Sequence, residues 1–557
     1  MKIMNKFYFY AVWTIPFGLS SALILNGILT NIQKLFPLIQ ISDNMKSFIS
    51  ISVFLGFWTI FFIRNLLQYI VEGKRDFLPK NHQYSEEKQK ALMPKIPKGY
   101  LSKTPKDQCI GKYKGKYICL PFSKNAVTHK LIIGGPGSGK SSSAILNSLI
   151  YNFNFAQKAD EAVMYILDIK PELQFKSAKN GSKNIHVVNP TNKTGYGWNV
   201  WYGLSQENTD DELISRADII ARALIVCTNE NNQFFYTAAQ TLMKAFIVYG
   251  FRNNQGLCTS IQRILFIPLQ DLIAEIITDE ETIKNHPKLI GMIKGFDGKD
   301  SKAVDDIELT LRNELSIFQY DVVKYQFEET DKKANPQDLE NGISIFLTIP
   351  DHLLSEYAPI IRLITQMVMK FLGSLSEKER SKEDKPLIIL FLDEFPSIGR
   401  MDDIIDGLAR LRSRKISIQL CIQSLAQMDT IYGKDATRAI VDNTETTIVL
   451  SCKDPQTTKM ISEWSGMYDE RKISKTRKPR NIFSGSDSLS ESSEQRNTLE
   501  INDIMSLLKN NQVLVFDRGN RLLVEKCPYY SIDSFNKKSI EIQKYNQKVE
   551  EKTNEKR

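Results

Sequence analysis

Residues 130–143, Lys-Leu-Ile-Ile-Gly-Gly-Pro-Gly-Ser-Gly-Lys-Ser-Ser-Ser, constrain the fold more than any other stretch of the chain. Gly134 and Gly139-Lys140-Ser141 satisfy the spacing G-x-x-x-x-G-K-[ST]. The apolar run Leu131–Ile133 reads as a buried strand, and Ser142–Ile150 has helical spacing, so the glycines fall between a strand and a helix N-terminus that faces an anion. Glycines at 134, 135, 137 and 139 let the backbone curl and aim its N–H groups at phosphate. The expected nucleotide-contacting set is Gly134, Gly135, Pro136, Gly137, Ser138, Gly139, Lys140, Ser141 and Ser142. Within it Lys140 reaches the outer phosphates and the Ser141 hydroxyl holds Mg²⁺. A Gly-rich turn that matches by chance is the plain alternative.

A second stretch makes chance a poor explanation. Leu387–Leu392 is six apolar residues running into Asp393-Glu394. Charges at the end of a buried strand are costly unless a cation or a hydrogen-bond network compensates them, and nucleotide-bound Mg²⁺ is such a cation. Asp393 is therefore expected to hold the metal and Glu394 to polarise the attacking water. Gln423 follows the apolar run Ile416–Ile422, where an amide can sense the γ-phosphate. Arg410, Arg412 and Arg414 precede the same run, where an arginine can cross to a neighbouring subunit's phosphate.

The first seventy residues have a different character. Phe7–Leu29 carries no charged residue, nor does Ser47–Ile63, and Leu66–Val71 prolongs the second stretch past Arg64. Each is long enough to cross roughly 30 Å of hydrocarbon, so two transmembrane helices are expected over about 7–29 and 47–70. A cleavable leader fits poorly, since no small-residue cleavage site follows and a second span comes soon after. Lys and Arg crowd the segment after the second span, which places both ends and the bulk of the chain in the cytoplasm. Residues 71–130 hold 14 Lys/Arg against 5 Asp/Glu, matching the whole formal excess of +9. That collar suits anionic lipid headgroups or nucleic acid. Seven scattered cysteines without a C-x-x-C pair argue against a zinc ribbon or a disulfide framework, and no H-E-x-x-H marks a zinc protease.

Along the chain, residues 76–127 read as a linker followed by an edge β-element. Apolar runs at Ala162–Leu167, Ile185–Val188, Ile343–Ile349, Thr446–Leu450 and Val513–Asp517 read as further strands. Between them, Asp210 to about Lys324 has helical spacing throughout. The resulting division is an anchor (1–75), a nucleotide-binding domain in two pieces (76–205 and 336–540), an all-α insertion (206–335) and a charged tail (541–557). Residues 471–498, rich in Ser, Lys and Arg, read as a mobile loop. Phe234-Phe235-Tyr236 reads first as bundle core, with a surface that stacks single-stranded DNA as the sharper alternative.

Taken together these motifs resemble the type IV secretion coupling proteins, the TraG/TraD class of conjugative ATPases. The resemblance is carried by Gly134–Ser141, Asp168-Ile-Lys-Pro-Glu172, Asn189-Pro190 with Trp198-Asn199, Leu392–Pro396, Gln423–Gln427 with Tyr432-Gly433, and Leu499–Val515. Ile169, Pro171 and Val200 depart from the family's usual residues. It implies a RecA-like P-loop NTPase domain with an all-α insertion, a two-pass protein of the bacterial inner or plasma membrane that assembles as a homo-hexamer. ATP and Mg²⁺ are the implied cofactors. The implied partners are DNA contacted without sequence specificity, relaxase or secreted protein substrates, and the components of the secretion channel. Matching motifs make Lys140, Glu394, Gln423 and Arg412 the catalytic set, with Ser141 and Asp393 on the metal. An FtsK-like DNA translocase is the alternative; it would carry a winged-helix module after the motor, for which the tail seen here reads as too short and polar. An ABC-type ATPase lacks its L-S-G-G-Q signature here, and a degenerate scaffold would not keep Lys140, Ser141, Asp393 and Glu394 intact.

Overall fold

Lys130–Ile133, Ala162–Asp168, Leu387–Leu392 and Ile416–Ile422 form strands buried over their whole length. A strand covered on both faces does not alternate, so each reads as one apolar run and pairs in parallel with its neighbours. The computed structural model describes residues 96–554 apart from 124–126, 157–161, 228–231, 299–300, 381, 383–384 and 477–487, together with isolated positions before 96. The two expected membrane spans lie outside the described residues. Among the described residues no helix is long and apolar enough to cross a membrane.

In chain order the strands are β1 (Leu101–Ser102), β2 (Cys109–Tyr113), β3 (Lys116–Cys119), β4 (Lys130–Ile133), β5 (Ala162–Asp168), β6 (Ile185–Val188), β7 (Gly197–Trp198) and β8 (Lys333–Ala334). There follow β9 (Ser344–Thr348), β10 (Leu387–Leu392), β11 (Ile416–Ile422), β12 (Thr446–Val449), β13 (Met467–Thr476), β14 (Ser488–Asn497), β15 (Gln512–Asp517) and β16 (Asn520–Lys526). Twelve of them make one sheet in the order β1-β3-β2-β16-β15-β12-β4-β11-β10-β5-β9-β6. From β12 to β6 every pair is parallel. From β12 to β1 every pair is antiparallel. Seven strands thus present their carboxyl ends along one edge, which is where open α/β sheets bind ligands. The insertion of β11 between β4 and β10 sets the site, because it brings three separate loops to one point of that edge.

Every described helix or strand from Asp210 to Glu329 is helical. The first of these helices starts on a capping box in which Thr209 and Glu212 satisfy each other's backbone N–H groups. Leu213, Ile220, Leu242, Phe246, Ile261, Ile273 and Leu311 are fully buried there. The parallel pair β7–β8 ties the start of this section to its end. Phe234 does not join the helical core. It is 62% exposed, because Ala238, Ala239, Leu242 and Met243 supply the inward face one turn later.

Two expectations need correction. Within the stretch 471–498, residues 471–476 and 488–497 are strand rather than irregular loop: β13 and β14 pair antiparallel from Met467↔Asn497 to Thr476↔Ser488, and 477–487 lie outside the described residues. Backbone pairing alone builds such a ribbon, and residues polar on both faces leave no alternation to read. Nor do residues 541–554 form a free tail. The helix Asp533–Asn554 runs through them, with Ile542 and Asn546 buried. Asn546 donates to the carbonyls of Phe175 and Ala178 at 3.0 Å each, so this helix is docked on the segment that follows β5.

Candidate functional site

The turn after β4 is shaped by its glycines. Gly139 has φ +90°, a left-handed conformation that side chains resist, and a Cβ on Gly134 would lie 2.4 Å from the Ser138 hydroxyl. After Gly139 the chain enters a wide, π-type turn over Lys140–Ile145 and then the helix Leu146–Asn154. Pro136 and Gly137 are exposed at the loop crest, Ser138 and Lys140 are buried, and Ser141 and Ser142 are half-buried at the helix start. Lys140 Nζ folds back to donate to the Gly134 carbonyl at 2.7 Å.

Three of the expected residues meet at one carboxylate. Glu394 Oε1 lies 3.2 Å from Lys140 Nζ, and its Oε2 accepts from Gln423 Nε2 at 3.1 Å. Gln423 arrives on β11, whose last residue Ile422 is level with Ile133 of the phosphate-loop strand. Glu394 has φ +46° and ψ +42°, a strained conformation for a residue with a Cβ, and such strain is typical of functional positions. Asp393, at the end of β10, accepts from the Glu394 N–H at 3.1 Å. Burial pushes its carboxyl up to about 6, with the Glu394 and Asp168 charges adding to the shift and Lys140 opposing it.

Asp168, at the end of β5, is likewise raised to about 6, chiefly by burial. Its Oδ2 accepts from the Gln174 N–H at 3.0 Å, while Oδ1 is buried with no partner. The buried hydroxyls of Ser138 and Ser143 also lack partners. Buried carboxylates and hydroxyl oxygens short of partners are the donor set of a hard divalent cation, so these residues fit Mg²⁺. Among the described residues no cluster of three or more His, Cys, Asp or Glu could hold a metal alone.

Arg412 is not brought to this site. It lies in the short turn Arg412–Arg414 before β11, at the opposite end of the strand from Gln423, exposed and ion-paired with Glu445.

Other residues support the loop without belonging to any sequence motif. Ser451, just past β12, accepts from the Gly135 N–H at 3.2 Å. Lys526, the last residue of β16, donates to the Ser138 carbonyl at 3.0 Å. Asn147 donates to the carbonyls of Cys109 and Cys527 at 2.8 Å each and fixes the helix behind the loop. Ser451 had a signal, since it follows an apolar run that pairs beside β4. Lys526 and Asn147 had none.

Comparison with known proteins bears on the fold and the family. A curated relative, the type IV secretion system-coupling protein VirD4 of Bartonella quintana, is 21% identical over 407 residues, which is 70% of this chain and 61% of that protein. The matched region therefore spans less than two thirds of that relative's length. The plasmid coupling protein TrwB in complex with the ATP analogue ADPNP superposes with a TM-score of 0.57 at 16% identity, over 78% of this chain and 92% of that one. TrwB in complex with ADP and Mg²⁺ gives 0.54 at 18%, over 78% and 90%. At that identity the likeness establishes the fold, which is RecA-like. A family model described as type IV secretory system conjugative DNA transfer matches residues 82–552. That is most of the chain, and the protein belongs to this family.

Proposed function

We propose that the protein is an ATPase that brings DNA or a protein substrate to a type IV secretion channel and energises its transfer. The observation that carries this reading is the bridge from Lys140 through Glu394 to Gln423, formed by three strand ends at the mouth of the phosphate loop. In this reading the backbone of residues 134–142 cradles the phosphates, and Lys140 leaves Glu394 for them. Glu394, released from Lys140 but still held by Gln423, takes a proton from the attacking water. Ser141 and Asp393 would hold Mg²⁺, which when bound would supply positive charge to the phosphates. Arg412, far from its own chain's site, acts on the site of a neighbouring subunit in a homo-hexameric ring. The relatives named above support coupling to secretion.

The sequence supports two membrane spans, over 7–29 and 47–70, in a bacterial inner or plasma membrane, with the body of the chain cytoplasmic. We assign the helical section 206–335 to substrate recognition. An exposed aromatic there, Phe234, supports contact with single-stranded DNA.

The test is ATP hydrolysis by the full chain in detergent, with and without single- and double-stranded DNA, beside Lys140→Ala. Hydrolysis that DNA stimulates and Lys140→Ala abolishes is expected. Equal hydrolysis by that variant would remove the site from the reaction.

A further inference from the structure

We infer that Asp168 is a second acidic residue of the metal site, positioning the water shell of nucleotide-bound Mg²⁺ from the side opposite the phosphate loop. The inference rests on the nucleotide-site reading above and goes beyond it, since that reading uses Asp393 alone.

The geometry begins with register. β5 lies beside β10 in parallel, with Leu167 level with Leu392, so Asp168 and Asp393 are the next residues of adjacent strands. Neighbouring strands are about 4.8 Å apart. Both carboxylates therefore leave the sheet side by side, on the edge where the phosphate loop opens. Asp168 is 1% exposed.

Its two oxygens do different things. Oδ2 accepts from the Gln174 N–H and caps the short helix Glu172–Ser177. A capping role explains that oxygen, and a neutral asparagine would serve it equally well. It does not explain the buried Oδ1, which has no partner. An acceptor left so is destabilising, more when charged. The nearest lysine in sequence, Lys170, is exposed, and Lys140 is engaged by Gly134 and Glu394. A water bound to Mg²⁺ is a strong donor, and a carboxylate that accepts from it orients the metal's outer ligands.

Metal binding separates this role from capping. In the full chain in detergent, Mn²⁺ affinity in the presence of ADP is read by electron paramagnetic resonance, and ADP affinity in EDTA by calorimetry. Asp168→Asn keeps a capping oxygen and removes the charge. It is expected to weaken Mn²⁺ binding about tenfold, the lower end for loss of an outer-shell ligand partner, with ADP affinity in EDTA unchanged. Wild-type Mn²⁺ affinity in a folded Asp168→Asn chain overturns the inference and leaves the nucleotide site standing. Failure of the wild-type chain to bind ADP and Mn²⁺ overturns both. Should the variant not fold, a crystal structure of the wild-type chain with ADP and Mg²⁺ decides. An Asp168 oxygen about 3 Å from a metal-bound water is expected there, and a carboxylate facing none sinks the idea.

Discussion

The two ends of the same parallel strands are built on opposite rules. At the carboxyl ends of β4 and β5, polar groups are buried short of partners, and just past β10 Glu394 sits in a strained backbone conformation. At the amino ends, polar groups are buried and mostly bonded. Arg380, 1% exposed, donates to the carbonyls of Arg414 and Pro386 and pairs with Glu340 at 2.6 Å. Ser417 donates to the Thr128 carbonyl at 2.7 Å, and His129 Nδ1 accepts from the Ile418 N–H at 2.9 Å. One end holds the sheet together, while the other keeps its hydrogen-bonding capacity for something that arrives.

The contrast makes each end respond differently to mutation. At the carboxyl end, Glu394→Gln should lower ATP turnover by about a thousandfold, roughly 4 kcal/mol in the barrier. Nucleotide binding and melting temperature should hardly change. Turnover within a few-fold of wild type would take the base role from Glu394. At the amino end the pattern reverses. Arg380→Ala leaves the carbonyls of Arg414 and Pro386 without their donor and takes one of two cations from the half-buried Glu340, which keeps Lys385, so denaturant titration should show a loss of about 2 kcal/mol. A variant that still folds should keep its nucleotide affinity, and an equal loss of affinity would erase the distinction.

A third measurement uses pH. Burial, with Arg412 adding to it, lowers the His129 imidazole from 6.5 to about 4. The unfolded chain therefore binds the proton first as pH falls. The stability His129 contributes is present above about 6.5 and is lost as pH falls towards 4. By pH 5 the loss is about 2 kcal/mol, and His129→Gln should flatten that slope in chemical denaturation. An unchanged slope would show that other groups govern acid sensitivity. The smallest effect concerns Arg412, which stands at the amino end yet is assigned a role at a carboxyl end. Doping a few per cent of Arg412→Ala subunits into assembled rings should depress ATPase more than in proportion. A proportional loss would leave Arg412 as the partner of Glu445 and nothing more.

How much was legible in sequence follows the reach of each signal. The phosphate loop and Asp393-Glu394 could be read because glycine spacing and apolar runs are local patterns. Their convergence was expected from the chemistry of the motifs, but the strand order that produces it, with β11 crossing between β4 and β10, was not legible. Ser451 and Lys526 come from strands 316 and 388 residues away from their partners, with no motif to announce them. The β13–β14 ribbon was hidden because neither face is apolar. The docking of the helix through 541–554 was hidden for a related reason: it rests on one narrow stripe, Ile542 and Asn546, amid charged residues.

Asn147 carries a further consequence. The carbonyls it bonds, of Cys109 and Cys527, lie 38 and 380 residues from it in sequence. Contacts of such sequence separation form late and slowly. During synthesis, then, the phosphate loop emerges early but gains its backing only after β16 has left the ribosome. A nascent chain would carry the whole loop motif and still lack the scaffold that holds it, so ATP turnover would await completion of the sheet.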